Sequence, residues 1–406
     1  FKWNVWYCKI FKQNQLMKSI TDLENLNNQI VLLRLDLNVP ILDGKITDTN
    51  RIDKIIPTIN FLLSKNAKII IISHVGRPKG KFKSELSLQP IRDNLSSQVG
   101  ENVKLEKSNI FNLKKDELFK GIDEKLIILE NIRFYPEEEN NNDKFSEHLA
   151  KLGDIYVNDA FSCSHREHAS VTSITKFIPS YSGLQINSEV EALKKITTEI
   201  KKPITCIIGG SKISTKIDII KNLIPKFDNI VIVGAMANNI LKFKGYNIGA
   251  SLFEKNSEKI IEEIFSEVES NSCKIYLPED VKVGKSLKDY SIQKSLNQIE
   301  NDDMILDVGS KTIQNIKSVI DNSSTILWNG PLGYFENPNF LLGSLEIAKY
   351  IGNKQGEIYS VIGGGDTVSV INSIKINNKF NFVSTAGGAF LEYLEGKILP
   401  GIRALN

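Results

Sequence analysis

The amino-acid sequence predicts an α/β protein made of two doubly wound parallel-sheet (Rossmann-like) domains joined by a hinge helix. Short apolar segments that suit buried strands alternate with amphipathic helical segments along the chain, and this order favours parallel sheets. Several of the strands run directly into glycines or basic side chains, as happens where a parallel sheet binds ligands at its carboxyl edge. At 406 residues the chain exceeds what one hydrophobic core usually serves, so two domains of roughly 150–200 residues are expected.

The composition is that of a globular protein, with 41% hydrophobic and 24% charged residues and a formal net charge of +3. No uninterrupted apolar run approaches the roughly 20 residues of a membrane-spanning helix, and the small net charge does not favour nucleic-acid binding. We therefore expect a cytoplasmic protein with no nucleic-acid or membrane partner. The cysteines are isolated, which argues against disulfides, secretion and structural zinc; they are Cys8, Cys163, Cys206 and Cys273.

Arginine is rare in this chain, since only seven of its 51 basic residues are arginines. All of the arginines except Arg403, and all four histidines, lie in the first half. A planar guanidinium binds carboxylate or phosphate through two parallel hydrogen bonds, which lysine cannot do. The first domain is therefore predicted to hold a small ligand with several negative charges.

Residues 1–16 precede the first methionine, Met17, and contain no acidic residue. A cleaved targeting segment would favour Arg and Ser over this mixture of Lys and aromatic residues. We interpret the segment as an extension upstream of the true start and exclude it from the predicted fold.

The predicted strands of the first domain end in polar and basic side chains. In the strand at residues 30–37, two-residue alternation places Arg34, Asp36 and Asn38 on one side. Arg51 opens the amphipathic helix that follows. The strands at residues 68–73, 126–129 and 155–157 are followed, respectively, by His74 and Arg77, by Arg133, and by His165, Arg166 and His168. Because parallel strands end at one edge of a sheet, these side chains are predicted to converge on an anion pocket.

Residues 188–200 are predicted to form the helix that connects the domains. Ser188-x-x-Glu191 has the pattern of a capping box, and Val190, Leu193 and Ile196 would line one apolar face. A single connecting helix suits a hinge. The first domain would then cover residues 17–187, and the second residues 188–390.

The second half repeats the strand–glycine–helix pattern. We expect one parallel sheet from strands at residues 204–208, 230–233, 274–277, 304–306, 325–327 and 358–362. The first of these leads to Gly209-Gly-Ser-Lys212, with Lys216 predicted one turn further along the same helix face.

The segment at residues 362–367, Ile-Gly-Gly-Gly-Asp-Thr, predicts a phosphate site where a strand turns into a helix. Backbone N–H groups at a helix start bind anions, and glycines let a phosphate approach closely. Asp366 or Thr367 is placed to cap this helix, which is the commoner role for such residues. The functional alternative adds Mg²⁺ at Asp366, because a carboxylate would repel a phosphate unless a cation bridges them.

Two other patterns do not support a nucleotide site. Gly284-Lys285-Ser286 resembles the end of a P-loop, but Glu279 stands where the first glycine is required. No Gly-x-Gly-x-x-Gly follows a first strand with an acidic residue about 20 positions on, so a dinucleotide site is not supported.

A cationic pocket in one domain and a glycine- and lysine-containing phosphate pocket in the other indicate a two-substrate phosphoryl transferase. Such transfer depends on positioning and charge neutralisation more than on covalent chemistry. No Ser or Cys nucleophile with a positioned base is evident from the sequence. Lys212 and Arg51 are the candidates for holding the phosphoryl group in transit, with water excluded on domain closure.

Seven motifs, taken in order, resemble the phosphoglycerate kinase family. They are Arg34-Leu-Asp-Leu-Asn-Val-Pro, Ser73-His-Val-Gly-Arg-Pro, Glu130-Asn-Ile-Arg-Phe, Tyr156-Val-Asn-Asp-Ala-Phe, Gly209-Gly-Ser-Lys, Trp328-Asn-Gly-Pro-Leu-Gly-Tyr-Phe-Glu and Gly363-Gly-Gly-Asp-Thr. Each motif is modestly specific, whereas the ordered set is very specific. The resemblance covers about residues 17–406.

The resemblance implies reversible, Mg²⁺-dependent phosphoryl transfer between ATP and 3-phosphoglycerate, giving ADP and 1,3-bisphosphoglycerate, by domain closure and direct in-line transfer in a glycolytic monomer. It implies that the phosphoglycerate is held by Arg34, Asp36, Asn38, Arg51, His74, Arg77, Arg133, His165, Arg166 and His168. It implies that the nucleotide is held by Gly210, Ser211, Lys212, Lys216, Gly234, Leu252, Asn329, Pro331, Glu336, Gly363, Gly364, Gly365, Asp366 and Thr367.

Particular roles also follow from the resemblance. Glu336 would meet the ribose hydroxyls, Asp366 would bind the metal, and the backbone N–H groups of Gly387 and Gly388 would face the moving phosphate. Arg51 and Lys212 would complete the catalytic set. The C-terminal tail at residues 391–406, with Gly396-Lys-Ile-Leu-Pro-Gly, would pack on the first domain.

Two other classes of protein remain as alternatives. One is a non-catalytic protein that closes on a phosphorylated metabolite, although the presence of Lys212, Arg51 and Asp366 favours catalysis. The other is a nicotinamide-dependent dehydrogenase, which the missing dinucleotide fingerprint disfavours.

Overall fold

The structure, a computed structural model, describes residues 17–406, so the predicted extension at residues 1–16 lies outside the described residues. The chain divides into two compact units. Of the described residues, the first contains 17–190 together with Ile398–Asn406, and the second is Glu191–Lys397. The sequence predicts the boundary between the two domains at 187/188, and it predicts that the C-terminal tail begins at residue 391.

The first unit is built around one parallel sheet. Its strands are β1 (Ile30–Leu35), β2 (Ile41–Leu42), β3 (Lys45–Ile46), β4 (Lys68–Ile72), β5 (Val103–Glu106), β6 (Leu126–Leu129), β7 (Ile155–Asp159) and β8 (Ser180–Ser182). Six of them form a sheet of order β5-β6-β4-β1-β7-β8 in which every neighbouring pair is parallel. The remaining two, β2 and β3, pair with each other antiparallel.

The central strand β1 is buried along its whole length, as the sequence Ile-Val-Leu-Leu-Arg-Leu requires of a parallel strand covered on both faces. Alternation divides its side chains between two apolar clusters. Val31 and Leu33 belong to one cluster, and Ile30 and Leu32 belong to the other. The sheet therefore carries a core on each side, as in a doubly wound fold.

Helices of the first unit cover these two faces. They are α1 (Asn50–Ser64), α2 (Gln89–Val99), α3 (Lys115–Leu118), α4 (Pro136–Glu139) and α5 (Asp143–Ala150), and the unit ends with α14 (Pro400–Arg403). The tail is fixed to its own unit at Gly401, whose N–H donates to the Ser164 carbonyl at 2.8 Å. A side chain at position 401 would lie 2.8 Å from the Ser164 Cα, so only glycine fits there.

The connecting helix α6 is Leu184–Thr197, and it begins four residues before the predicted start. The predicted capping box at Ser188 is therefore wrong, because Ser188 lies inside the helix. The cap comes instead from a distant strand: the Ile186 N–H donates to the Asp159 carboxylate at 3.0 Å. Thr58 completes this cap, since its hydroxyl accepts from the Leu184 N–H at 3.3 Å and donates to Asp159 at 2.5 Å.

The second unit contains a parallel sheet and a separate antiparallel sheet. Its strands are β9 (Ile204–Ile208), β10 (Asn229–Ile232), β11 (Lys274–Tyr276), β12 (Asp280–Gly284), β13 (Ile292–Ser295), β14 (Met304–Val308), β15 (Thr325–Asn329), β16 (Tyr359–Gly363) and β17 (Phe382–Val383). The parallel sheet has the order β11-β10-β9-β15-β16-β17, and the antiparallel sheet has the order β13-β12-β14.

The prediction that residues 304–306 belong to the parallel sheet is wrong, because β14 pairs antiparallel with β12. The sequence contains a signal for this arrangement. Val281 and Val283 in β12 are buried whereas the intervening Lys282 is half-buried, and such alternation is typical of an antiparallel strand with one solvated face. Continuous apolar runs mark the parallel strands instead.

Helices of the second unit are α7 (Ile217–Leu223), α8 (Ala235–Phe243), α9 (Glu258–Glu269), α10 (Ser310–Asp321), α11 (Leu342–Asn353), α12 (Gly365–Ser373) and α13 (Gly388–Leu394). Within residues 17–406, no helix combines the length and the apolar composition that crossing a bilayer requires.

Candidate active site

Polar groups of the first unit meet at the carboxyl edge of its sheet. The strand order changes direction between β1 and β7, and ligands of doubly wound sheets bind beside such a switch point. Asp36 follows β1, His74 follows β4, and the 3-10 helix Phe161–Cys163 follows β7. At this edge, ligand atoms of Asp36, His74 and Cys163 lie within 4.8 Å of one another.

Asp36 is held by donors on three sides. The Arg51 guanidinium lies 2.8 Å from one carboxylate oxygen, and the Ser162 hydroxyl donates to the same oxygen. The Asn38 N–H donates to the other oxygen at 3.2 Å. Arg51 also donates to the Asn38 carbonyl at 3.1 Å, so the charge of Asp36 orients the guanidinium at the edge of the site.

The loop after β4 is pinned by side chains of the motif after β6. The Asn131 amide donates to the carbonyls of Val75 and Leu86 at 2.8 and 2.9 Å, and the Glu130 carboxylate accepts from the Leu88 N–H at 2.8 Å. This loop carries Arg77, whose side chain is exposed. The sequence motif therefore supplies the scaffold of the loop as well as candidate ligand groups.

Arg133 lies beside that loop, in the 3-10 helix Ile132–Phe134, and donates to the Gly76 carbonyl at 3.1 Å. Burial lowers the pKa of Arg133, although the nearby Cys163 acts in the opposite direction. The guanidinium is thus partly desolvated but remains charged, which strengthens its attraction for an anion.

His74 and Arg34 lie deeper than the other candidates. His74 is buried, and the guanidinium of Arg34 is 3.1 Å from its Nδ1 atom. Burial lowers the pKa of His74 well below its usual value, and the positive charges of Arg34 and Arg133 lower it further. His74 is therefore neutral over the whole physiological range of pH.

The motif after β7 contributes three further candidates. His165 is half-buried and Arg166 is exposed, whereas His168 is buried. Burial and the neighbouring arginines, Arg133 first, lower the pKa of His168 to about 3. Its Nδ1 atom lies 3.9 Å from the Glu138 carboxylate, and this contact is not an ion pair because the imidazole is neutral and the distance exceeds that of a hydrogen bond.

Glu138 and Ser170 are residues of this site that sequence reasoning missed. The Glu138 carboxylate is fully buried and accepts from the Ser170 hydroxyl and N–H at 2.6 and 2.8 Å. Glu138 lies in the short helix Pro136–Glu139, which consists of one proline and three glutamates. From the sequence this segment resembles the solvent-exposed start of a helix. Only the pairing in the folded chain distinguishes it from its exposed neighbours.

In the second unit, the strand order changes direction between β9 and β15, and Lys216 lies there. Its ammonium group donates to the Asn329 side-chain oxygen at 2.6 Å and to the Gly209 carbonyl at 2.5 Å. The Asn329 amide donates in turn to the Gly363 carbonyl at 2.9 Å. Burial lowers the pKa of Lys216 to about 8, so the group remains mostly charged at neutral pH.

The strand ends approach so closely here that side chains are excluded. A Cβ at Gly330, whose φ is +103°, would lie 2.2 Å from the Gly209 carbonyl oxygen. Likewise, a Cβ at Gly364, with φ of +94°, would lie 2.8 Å from the Asn329 amide nitrogen. By contrast, Gly365 has open space around it, as a position that meets a ligand through its backbone requires.

The prediction that Asp366 or Thr367 caps α12 is wrong. The N-cap residue is Gly364, and Asp366 and Thr367 occupy the second and third helical positions. Thr367 is buried and accepts from the Gly330 N–H at 2.6 Å, so it ties two strand ends together. Asp366 is exposed, and within residues 17–406 its carboxylate makes no hydrogen bond or ion pair.

The prediction that Lys212 and Lys216 share a helix face is also wrong. Helix α7 begins at Ile217 with Lys216 as its N-cap residue, and Lys212 lies in the preceding loop. Glycine-rich residues 209–211 keep this segment out of a helix, because Gly210 has a φ of +155°. Lys212 is exposed, unlike Lys216.

The remaining nucleotide candidates lie in loops or at the starts of helices. Gly234 is the N-cap residue of α8, and Gly387 is the N-cap residue of α13, which begins at Gly388. Pro331 is buried and directly follows Gly330. Three candidates are exposed, and they are Ser211, Leu252 and Glu336.

Comparison with known proteins gives a consistent result. The sequence model of the family described as phosphoglycerate kinase matches residues 20–397. The phosphoglycerate kinase of Wolbachia sp. subsp. Drosophila simulans (strain wRi) is 45% identical over 396 residues, covering 96% of this chain and 99% of that protein. The phosphoglycerate kinase of Chelativorans sp. (strain BNC1) is 42% identical over 397 residues, covering 96% and 99%.

Solved structures agree with these sequence relatives. The structure of phosphoglycerate kinase from Coxiella burnetii matches with a TM-score of 0.87 and 36% identity, covering 96% of this chain and 99% of that one. The crystal structure of phosphoglycerate kinase from Pyrococcus horikoshii OT3 matches with a TM-score of 0.81 and 29% identity, covering 96% and 98%. The predicted α/β class with parallel sheets is therefore confirmed, as is the resemblance seen in the motifs. The chain belongs to the phosphoglycerate kinase family, phosphotransferases whose acceptor is a carboxyl group.

Proposed function

We propose that the enzyme transfers a phosphoryl group reversibly between ATP and 3-phosphoglycerate in the presence of Mg²⁺, giving ADP and 1,3-bisphosphoglycerate. The observation that carries this proposal is that each unit has a cationic or glycine-lined cluster at the carboxyl edge of its own parallel sheet. The first cluster is rich in arginine and the second has the half-buried Lys216. These are the two kinds of site that a phosphorylated carboxylic acid and a nucleoside phosphate need.

The first unit is proposed to bind the phosphoglycerate. Arg51 and Arg133 lie at the site edge with their guanidinium groups oriented by Asp36 and by the Gly76 carbonyl. Their forks suit the phosphate and carboxylate of the ligand. We also assign to this site Asn38, Arg77, His74, His165, Arg166 and His168.

The second unit is proposed to bind the nucleotide. Lys216 and the loop residue Lys212 would face its phosphates, with backbone N–H groups of the glycine turns completing the contacts. Glu336, an exposed acidic side chain, would accept hydrogen bonds from the ribose hydroxyls. We assign the remaining contacts to Gly210, Ser211, Gly234, Leu252, Asn329, Pro331, Gly363, Gly364, Gly365 and Thr367.

Asp366 fits a magnesium ligand. Mg²⁺ usually takes one or two carboxylates together with phosphate oxygens and water. Asp366 is an exposed carboxylate in the first turn of α12, unengaged by hydrogen bonds or ion pairs within residues 17–406. Bound there, the ion would neutralise charge on the nucleotide phosphates, which would otherwise be repelled by the carboxylate.

The transfer itself is proposed to be direct. Arg51 and Lys212 would hold the phosphoryl group in transit, and the N–H groups of Gly387 and Gly388 would face its oxygens. A covalent intermediate on Cys163 is not supported, because burial raises the pKa of this thiol and keeps it protonated. Exclusion of water would prevent hydrolysis of the nucleotide.

The non-catalytic binding protein and the dehydrogenase are not favoured, because the compared relatives with 42–45% identity carry the name of the kinase. We further propose that the enzyme acts as a monomer in the cytoplasm, in glycolysis, as the family resemblance implies. A sedimentation measurement showing a stable dimer would contradict the monomer.

The assignment of one ligand to each unit can be tested by calorimetry with two variants. Lys216→Met is expected to lose MgADP binding but retain 3-phosphoglycerate binding, and Arg133→Met is expected to show the reverse. Lys221→Met is the matched control, because Lys221 is a partly exposed lysine paired with Glu263 at 2.9 Å. Loss of both ligands in either variant, with the fold intact, would contradict the assignment.

A further inference from the structure

Arg34 is a buried arginine that is fully engaged inside the first unit. Its side chain has no exposed surface. Its Nε–H donates to the Ser170 hydroxyl at 2.9 Å, one terminal nitrogen donates to the Leu35 carbonyl, and the other faces His74 Nδ1 at 3.1 Å. The direct contact with phosphoglycerate that the resemblance implies is therefore not available to Arg34 in this geometry.

A buried carboxylate balances the charge of Arg34 through one hydroxyl group. The Ser170 hydroxyl has one proton, which it donates to Glu138 at 2.6 Å, and it accepts from Arg34 with a lone pair. Burial alone would lower the pKa of Arg34, but nearby acidic groups, Cys163 and Glu138 foremost, outweigh it and the net direction is upward. Arg34 is thus a permanent cation held by the chain Glu138–Ser170–Arg34.

The contact with Arg34 determines the state of His74. A guanidinium has only donors, so the Nδ1 atom of His74 must be the acceptor in the 3.1 Å contact. A neutral imidazole that accepts at Nδ1 carries its proton at Nε2. The imidazolium form would point an N–H group at the N–H groups of Arg34, where no acceptor is available. It would also place a second positive charge beside Arg34, so both hydrogen bonding and charge repulsion disfavour it.

We propose that Arg34 is a positioning residue that fixes His74 as a neutral imidazole with its proton on Nε2, and that Glu138 and Ser170 hold Arg34 in place for this purpose. This inference rests on the proposed function, because it assigns the Nε2 proton to recognition of the anionic phosphoglycerate. A histidine fixed in this way offers the same donor across the pH range in which an ordinary histidine changes its charge.

The other charged groups around His74 are consistent with this state. Arg133 and Arg51 act on the imidazole in the same direction as Arg34, and both oppose a second proton. His168 is neutral in this pH range. Asp36 and Cys163 are the acidic groups nearby, and their ligand atoms and that of His74 lie within 4.8 Å of one another. A metal ion in that cluster would face three arginines, so the geometry favours an anion site over a cation site.

The test is the tautomer of His74, measured by NMR in the protein without ligand. The chain has only four histidines, so ¹⁵N-histidine labelling gives a simple long-range ¹H–¹⁵N spectrum in which His74→Gln identifies the signals of interest. We expect a pyridine-type shift at Nδ1 and a pyrrole-type shift at Nε2. Both should stay constant between about pH 8 and about pH 5, where an unperturbed histidine would titrate.

Two serine variants test the role of the chain Glu138–Ser170–Arg34. Ser170→Ala keeps the Arg34 residue but removes the hydroxyl that accepts from its Nε–H, so the guanidinium loses this anchor. We expect intermediate ¹⁵N shifts that indicate a mixture of tautomers. The affinity for 3-phosphoglycerate should fall about tenfold, the effect of one lost hydrogen bond to a charged group. Ser173→Ala is the matched control, because Ser173 is buried in the same segment but its hydroxyl donates to the Asn141 carbonyl at 3.4 Å. It should leave the signals of His74 and the affinity unchanged.

The outcomes separate this inference from the proposed function. A proton on Nδ1 in the wild-type protein would overturn the inference even if 3-phosphoglycerate binds and is phosphorylated. An unchanged His74 spectrum in Ser170→Ala would overturn the role of Ser170 and Glu138, and this holds whether or not activity changes. If the tautomer is as expected but the wild-type protein does not bind 3-phosphoglycerate, the recognition role and the proposed function both fail.

Discussion

Asp159 is a buried carboxylate at the N-terminus of helix α6. We predict that its ionised form destabilises the folded protein, so that wild type loses stability relative to Asp159→Asn as the pH rises. Hydrogen bonds from the Thr58 hydroxyl at 2.5 Å, the Ile186 N–H at 3.0 Å and the Gln185 N–H favour the ionised form, and so does the positive end of the helix dipole. Burial opposes them, because a charge in an apolar interior loses its hydration. Burial wins, and the pKa of Asp159 rises to about 6.

The magnitude follows from linkage. The ordinary pKa is 3.8 and the folded value is about 6, so the folded state binds the proton more tightly than the unfolded state. Stability from this group is then fully present below about pH 4 and is lost as pH rises through about 6. Since one pKa unit is worth about 1.4 kcal/mol, the total loss is about 3 kcal/mol.

The assay is urea unfolding of wild-type protein and Asp159→Asn, followed by far-UV circular dichroism at several pH values between about 4 and about 7. Tryptophan fluorescence is unsuitable for following the first unit, because Trp328, the only tryptophan among residues 17–406, lies in the second unit. We expect the wild-type free energy of unfolding to fall by about 2.5 kcal/mol relative to that of the variant over this range, most of the total. The comparison uses only the pH dependence, so any constant difference between Asp and Asn cancels.

Asp154→Asn is the matched control. Burial acts on Asp154 too, but the Ile30 N–H at 2.8 Å and Lys115 outweigh it and lower its pKa, so it stays ionised through the same pH range. Its difference from wild type should be nearly constant. If the difference in free energy of unfolding between Asp159→Asn and wild type were also constant with pH, the pKa of Asp159 would not be raised. The hydrogen bonds and the helix dipole would then offset the effect of burial.

Three further variants test the proposed site. Arg51→Lys should reduce kcat much more than it weakens nucleotide binding, because the charge remains but the fork is lost; steady-state kinetics and calorimetry measure the two effects. Asp366→Asn should weaken MgADP binding and spare 3-phosphoglycerate binding, as measured by calorimetry. Thr367→Val should destabilise the second unit by about 1–3 kcal/mol in a urea titration, because it leaves the Gly330 N–H, now 2.6 Å from the hydroxyl, without a partner.

Each of these expectations can fail in a recognisable way. An unchanged kcat in Arg51→Lys would remove Arg51 from the reaction centre. Equal loss of both ligands in Asp366→Asn would indicate damage beyond the nucleotide site. A Thr367→Val variant as stable as wild type would show that water satisfies the Gly330 N–H.

The sequence predicts those features that depend on local pattern. Strand β1 ends in polar side chains at the sheet edge because two-residue alternation and an apolar run are local properties. The glycine turns are predictable for the same reason, since positions such as Gly330 and Gly364 exclude a side chain where strands approach. These local patterns are enough to predict the fold class and to locate the carboxyl edge of each parallel sheet.

Other features depend on partners that are distant in the chain. Helix α6 begins at Leu184 because Asp159 and Thr58 cap it from other elements, and no local pattern announces this. The role of Arg34 depends on Ser170, which is 136 residues away. Likewise, Thr367 resembles a helix cap locally but is used to hold Gly330. Sequence reasoning therefore identified candidate residues more readily than their contacts.

The most direct test of the central proposal is a coupled assay of phosphoryl transfer. Purified protein, MgATP and 3-phosphoglycerate are mixed with excess glyceraldehyde-3-phosphate dehydrogenase, and the loss of NADH is followed. Lys216→Met, purified in the same way, controls for contaminating activity. We predict a saturable loss of NADH that needs the protein and both substrates and is nearly absent in the variant. No loss of NADH from folded wild-type protein that still binds both ligands by calorimetry would contradict the proposed reaction.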